Sequence, residues 1–171
     1  MNGHSTIGMV ALMALFAAEP VLAQDGVGAW RVECGGDGKV LECRAVQQLV
    51  TREDRQLVVQ LVARLVPEAK PVVATAAPAA LAPVLTLQLP LGINVGEPLT
   101  LKVDDGKEEK VPLQTCTATG CFASVPLKEP LLAALRGGKQ LKLALQDRDK
   151  RAINIDVPLL GFGLAFDKAT K

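Results

Sequence analysis

The chain's chemistry starts from four cysteines, Cys34, Cys43, Cys116 and Cys121. Four thiols can hold zinc, run a redox couple or form disulfides. Structural zinc favours C-x2-C to C-x4-C knuckles, often with histidine. Here the spacings are C-x8-C and C-x4-C, and the single histidine, His4, lies in a segment expected to be removed. A redox dithiol calls for C-x-x-C, which is absent. Four cysteines allow three pairings. Cys34 with Cys43 and Cys116 with Cys121 are favoured because each pair flanks a turn signal, Gly35-Gly36-Asp37-Gly38 in the first and Thr119-Gly120 in the second. Short loops remove little unfolded-chain entropy, so each bond should contribute toward the low end of about 2–4 kcal/mol.

Other reactive groups are scarce. After residue 23 there is no histidine and no tyrosine, and Ser124 is the only serine. A Ser-His-Asp or Cys-His arrangement therefore cannot be assembled within one chain. No P-loop or dinucleotide glycine pattern occurs. Glycosidases need only two carboxylates, which brings in Asp104 with Asp105 and Glu108 with Glu109. Strand neighbours point to opposite faces, however, and both pairs sit at an expected hairpin tip, where solvated turn chemistry is the simpler account. The run Asp147-Arg148-Asp149-Lys150-Arg151 reads either as a recognition tip or as a polar turn. Trp30 is read as core rather than as an exposed anchor, because it alternates in phase with Val32.

These residues need elements to position them, and the start of the chain sets the compartment. Ile7 to Ala18 is a continuous apolar run, closed by Glu19-Pro20 and followed by Val21-Leu22-Ala23. That order fits a signal peptide over 1–23, with small residues at −3 and −1 of a cut between Ala23 and Gln24. The run is too short to span a bilayer. No Lys or Arg precedes it, and no Cys follows the cut to carry a lipid anchor. The remainder, 24–171, is the size of one domain. It holds 19 basic and 17 acidic residues, since Glu19 is the one charged side chain lost, and the two signs are interspersed. Nucleic-acid binding would need a basic face or stripe. A membrane barrel would need aromatic girdles, which one Trp and three Phe cannot supply.

Along the domain, Trp30 to Cys34 and Val40 to Val46 read as strands around the first glycine turn. Gln56 to Val66 is β-branched and ends at Pro67. Pro67 to Pro83 is rich in Ala and Pro and reads as a surface excursion. Leu81 to Leu89, Pro98 to Val103, Lys110 to Leu113 and Cys121 to Val125 come next as strands. Asp104-Asp105-Gly106 is a hairpin signal, and Pro90-Leu91-Gly92-Ile93 is a turn. Lys128 to Arg136 is the clearest helix, with Pro130 in its first turn and Gly137-Gly138 at its end. Leu141 to Leu145 and Ala152 to Val157 flank the charged tip. Leu160 to Phe166 suggests a short helical turn packing Phe162 and Phe166 onto the sheets. The fold expected is mainly β, an immunoglobulin-like-sized sandwich or a partly closed barrel with one short helix.

Six segments stand out together: Trp30-x-Val32-x-Cys34 with Cys43, Leu89-Pro-Leu-Gly-Ile93, the Val103-Asp104 strand end, Cys116-x4-Cys121, the Leu135 to Gly138 helix end, and Val157-Pro-Leu-Leu-Gly-Phe162 with Ala165. In this order and spacing they resemble the invasion-associated locus B family of bacterial envelope proteins. The resemblance implies an exported β protein, periplasmic, outer-membrane-associated or secreted, whose founding role is entry into host cells. It implies no catalytic residues and no cofactor, and its partner would be an envelope or host-cell macromolecule. The expectation is a non-enzymatic envelope protein. The alternative is a periplasmic small-ligand binder using a cleft between the sheets or beside Leu131–Leu135.

Overall fold

A computed structural model describes residues 30–36, 40–68 and 80–171. The expected leader at 1–23 and most of the Ala/Pro-rich excursion, at 69–79, lie outside the described residues.

Period-two alternation builds two antiparallel sheets. The first carries β1 (Arg31–Gly36), β2 (Leu41–Val50), β3 (Leu57–Pro67), β4 (Leu81–Leu89), β8 (Gly120–Pro126) and β7 (Thr115–Thr117), in the order β1-β2-β3-β4-β8-β7. The second carries β10 (Ala152–Pro158), β9 (Gln140–Gln146), β5 (Leu99–Val103) and β6 (Glu108–Val111), in the order β10-β9-β5-β6. The two sheets face each other as a sandwich and do not close into a barrel.

Register is set by which face is buried, since a slip of one residue would turn every apolar side chain outward. Ala45, Ala63, Leu85 and Val125 form one inward row of the larger sheet, each directly opposite the next. Leu101, Leu143 and Ile155 do the same in the smaller one. Leu85, Leu87, Leu89 and Leu101 are fully buried.

Two helices fill the gap that the narrower sheet leaves. In α1 (Glu129–Gly137), Pro130 sits in the first turn, and Leu131, Leu132 and Leu135 face the core. Gly138 ends it by donating its N–H to the Ala134 carbonyl, and a Cβ there would collide with Val103. The second, α2 (Phe162–Ala169), is a full helix rather than the single helical turn expected for this stretch. Gly161, at φ 87°, supplies the left-handed backbone that turns β10 into it. Phe162, fully buried, meets the Trp30 ring edge-on at 4.8 Å and stacks on Phe166 at 5.7 Å. The Trp30 indole N–H donates to the Pro158 carbonyl, tying the first strand to the last. Trp30 is therefore core. Its expected partner in phase, Val32, is 36% exposed because β1 is an edge strand.

Three further boundaries differ from the sequence reading. Pro67 is the last residue of β3 rather than the residue after it, and Glu108 and Glu109 open β6 instead of sitting at the hairpin tip. β7, three exposed residues, had no apolar alternation to announce it.

Candidate interaction surface

Each pair of cysteines occupies directly opposed positions on a hairpin. Cys34 faces Cys43 across β1 and β2, and Cys116 faces Cys121 across β7 and β8, with Cα–Cα distances of 4.0 Å in both disulfides. Among the described residues no cysteine is free, and no group of three or more His, Cys, Asp or Glu is placed to hold a metal ion.

The carboxylates considered for acid–base chemistry are dispersed. Asp104 accepts backbone N–H bonds from Lys139 (3.0 Å) and Gln140 (2.9 Å). Those donors hold its carboxyl below the usual Asp range, and it serves to fix the hairpin against the start of β9. Asp105 pairs with Lys142 at 3.2 Å while almost fully exposed. Glu108 lies opposite Lys102 and Glu109 opposite Leu101, on the two faces of the sheet. Asp104 and Asp105 both border an open depression of about 510 Å³ with Lys139, Gln140, Lys142 and Pro158, whereas Glu108 and Glu109 do not converge.

The expected cleft is likewise occupied. Leu131, Leu132 and Leu135 sit in the core with Leu101 and Phe162, which fills the space between the sheets where a small ligand would go. Another open depression, of about 210 Å³, lies on the outer face of the smaller sheet, bordered by Thr100, Lys102, Glu108, Lys142, Asn154 and Asp156.

The charged tip is more informative. Asp147 accepts the N–H groups of Asp149 (2.8 Å) and Arg151 (2.9 Å), and the Arg151 guanidinium at 2.7 Å. The backbone N–H of Arg151 leads in lowering the Asp147 carboxyl below its ordinary range. Arg151 also pairs with Asp149 at 3.1 Å. Three of the five charges are thus spent on holding the turn. Arg148 and Lys150 are exposed and make no ion pair among the described residues. Lys150 adopts φ 63°, a left-handed conformation uncommon for a residue with a Cβ.

The tip does not stand alone. The loop between β4 and β5 docks against it: Ile93 bridges Asp147, the Asn94 N–H donates to the Gln146 carbonyl at 2.8 Å, and the Arg148 N–H donates to the Gly92 carbonyl at 2.9 Å. The Asn94 amide adds a bond to Gln146 Oε1 at 3.2 Å. Ile93 anchors the loop inward, while Leu91 and Val95 stay 57% and 61% exposed. Antiparallel register brings two more turns to the same end. The start of β3 runs beside the end of β4 (Gln60 opposite Gln88), and Leu89 faces Cys121 at the start of β8. One end of the sandwich therefore collects the Arg52–Arg55 turn, the second disulfide, the Leu91–Val95 loop and the Arg148–Lys150 tip.

Backbone bonds hold this composite surface before any partner arrives, so little ordering entropy remains to oppose binding. It exposes two apolar side chains, Leu91 and Val95, and two cations, Arg148 and Lys150, that make no ion pair among the described residues. Sequence reasoning singled out the charged tip but read Pro90–Ile93 only as a turn. Leu91 and Val95, apolar residues interleaved with glycines in a connection, were the available signal.

Residues 30–170 match the family described as "Invasion associated locus B (IalB) protein". A protein called "Invasion protein B" from Bartonella bacilliformis is 30% identical over 148 residues, covering 84% of this chain and 72% of that one. An "Invasion protein B homolog" from Brucella abortus is 28% identical over 83 residues, about half of each chain. The crystal structure of invasion associated protein B from Bartonella henselae superposes with a TM-score of 0.64 at 29% identity, covering 84% of this chain and 91% of that one.

Proposed function

The chain belongs to the invasion-associated locus B family, and from that premise we propose that it is a non-enzymatic, exported envelope protein that engages another macromolecule through the loop end of its sandwich. The observation that carries this reading is the pre-assembled tip, which turns Leu91, Val95, Arg148 and Lys150 outward from a rigid base. Loops fixed on a sandwich are common places for recognition.

Export is supported by the two hairpin disulfides, which persist in oxidising compartments, and by the leader-like segment at 1–23, with 24–171 as the single mature domain. Among the described residues no helix is long and apolar enough to cross a membrane. The names of the relatives add a role in invasion, so the partner class proposed is an envelope or host-cell macromolecule. A non-enzymatic role is supported by the scarcity of histidine, serine and free thiols in the domain.

The test is retention of an envelope or host-membrane component on the immobilised protein. A Leu91→Ser/Val95→Ser/Arg148→Glu/Lys150→Glu variant should fold normally and lose that component. Equal retention by the variant would rule out the loop end as the binding surface.

A further inference from the structure

A second exposed surface lies on α2, which packs against β2, β1 and β3. Phe162, Ala165, Phe166 and Ala169 turn to the core, while Leu164 is 74% exposed. Leu160, just before the Gly161 cap, is 86% exposed, the highest value among the large apolar residues described. Leu160 belongs to the segment on which the family resemblance rests, yet it contributes nothing to the core.

Among the described residues, three exposed lysines near these leucines make no ion pair. The Leu159 N–H donates to the Lys139 carbonyl at 2.9 Å, which places Lys139 beside the lead-in to α2. Lys168 comes one turn after Leu164, with Lys171 beyond it. The nearby carboxylates are held within the fold, and Asp104 keeps its charge beside Lys139. Asp167 is held by Arg136 at 2.7 Å, Asp104 by backbone N–H groups and Asp105 by Lys142, and the Arg136 guanidinium also lies over the Phe166 ring. Glu129 sits at the opposite end of α1.

We infer that this face is a peripheral contact with an anionic lipid surface, in which Leu160 and Leu164 enter the headgroup region and Lys139, Lys168 and Lys171 lie at the level of the phosphates. Apolar side chains backed by lysines are the composition of interfacial helices, and uncommitted cations near a membrane gain from its negative surface potential. This inference rests on the proposed function in taking the protein to be in the envelope. β10 runs from the loop tip to the lead-in of α2, and its seven residues span about 23 Å at the usual rise per residue, which separates Leu160 from the loop end.

Vesicle co-sedimentation tests this directly. The purified protein should bind vesicles containing phosphatidylglycerol, release as salt is raised, and bind pure phosphatidylcholine weakly. Leu160→Ser/Leu164→Ser should lower partitioning by about tenfold or more, and Lys168→Glu/Lys171→Glu should abolish the preference for anionic lipid. Both variants replace exposed residues, so unchanged Trp30 fluorescence and melting serve as the folding control. No binding to anionic vesicles, or binding that the serine variant leaves intact, overturns the membrane contact. So does loss of self-association in the serine variant without any change in vesicle binding, which would assign the leucines to a second copy. Retention of a macromolecular partner at the loop end is read separately, so either idea can fail without the other.

Discussion

Phe162→Ala should destabilise the domain by about 4 kcal/mol. The ring is fully buried between Trp30 and Phe166. Truncating a buried Phe to Ala costs about 3–5 kcal/mol through lost transfer energy and the cavity left behind. Aromatic pairs add about 0.5–1.5 kcal/mol beyond area, which favours the middle to upper part of that range. For a domain of this size each kcal/mol shifts Tm by about 2–4 °C, so the expected fall is about 8–16 °C. Leu164→Ala, two positions along the same helix but 74% exposed, should stay within about 0.5 kcal/mol. Urea unfolding followed by fluorescence suits the comparison, because Trp30 is the only tryptophan and touches the mutated ring. A cost below about 1 kcal/mol for Phe162→Ala, or equal costs at both positions, would refute the placement of α2 as the plug of the core.

Three other outcomes are expected from the same structure. Asp104 has a lowered folded pKa, so its contribution is present above the unfolded value of about 4 and is lost as pH falls through the folded one. Asp104→Asn should melt lower than wild type at pH 7, with the gap narrowing once pH falls below about 4, and a gap independent of pH would contradict the assignment. Gly120→Ala should cost at least about 1–3 kcal/mol, because the position has φ 139° and a Cβ would strike the Leu89 carbonyl. Replacing Cys34 and Cys43 by Ala should cost about 2.6 kcal/mol, and replacing Cys116 and Cys121 about 2.1, from loop-closure entropy at separations of 9 and 5 residues. Denaturation midpoints of the paired variants check the order.

Local signals carried much of this fold in the sequence. Alternation in Leu81–Leu89 and Ala152–Val157, the Asp104–Gly106 turn and the Pro130-to-Gly138 helix each state their structure within a few residues. What stayed hidden depends on distant partners. β7 exists because a hairpin and a disulfide hold three exposed residues against β8, and no apolar pattern marks it. Leu160 shares an apolar run with Phe162, yet the left-handed Gly161 sends one outward and the other into the core. The candidate surface was half legible. The charged tip is contiguous, but its union with Leu91–Val95 joins segments some fifty residues apart through backbone bonds that composition cannot reveal.

Whether the loop end meets a macromolecular partner is tested most directly by photo-crosslinking in intact cells. The reactive residue is placed at Val95 in one strain and at the exposed Ala133 of α1 in another. A loop end that binds its partner predicts a discrete adduct from Val95, lost on Arg148→Glu/Lys150→Glu, and none from Ala133. No adduct at Val95, or the same adducts from both positions, would contradict it.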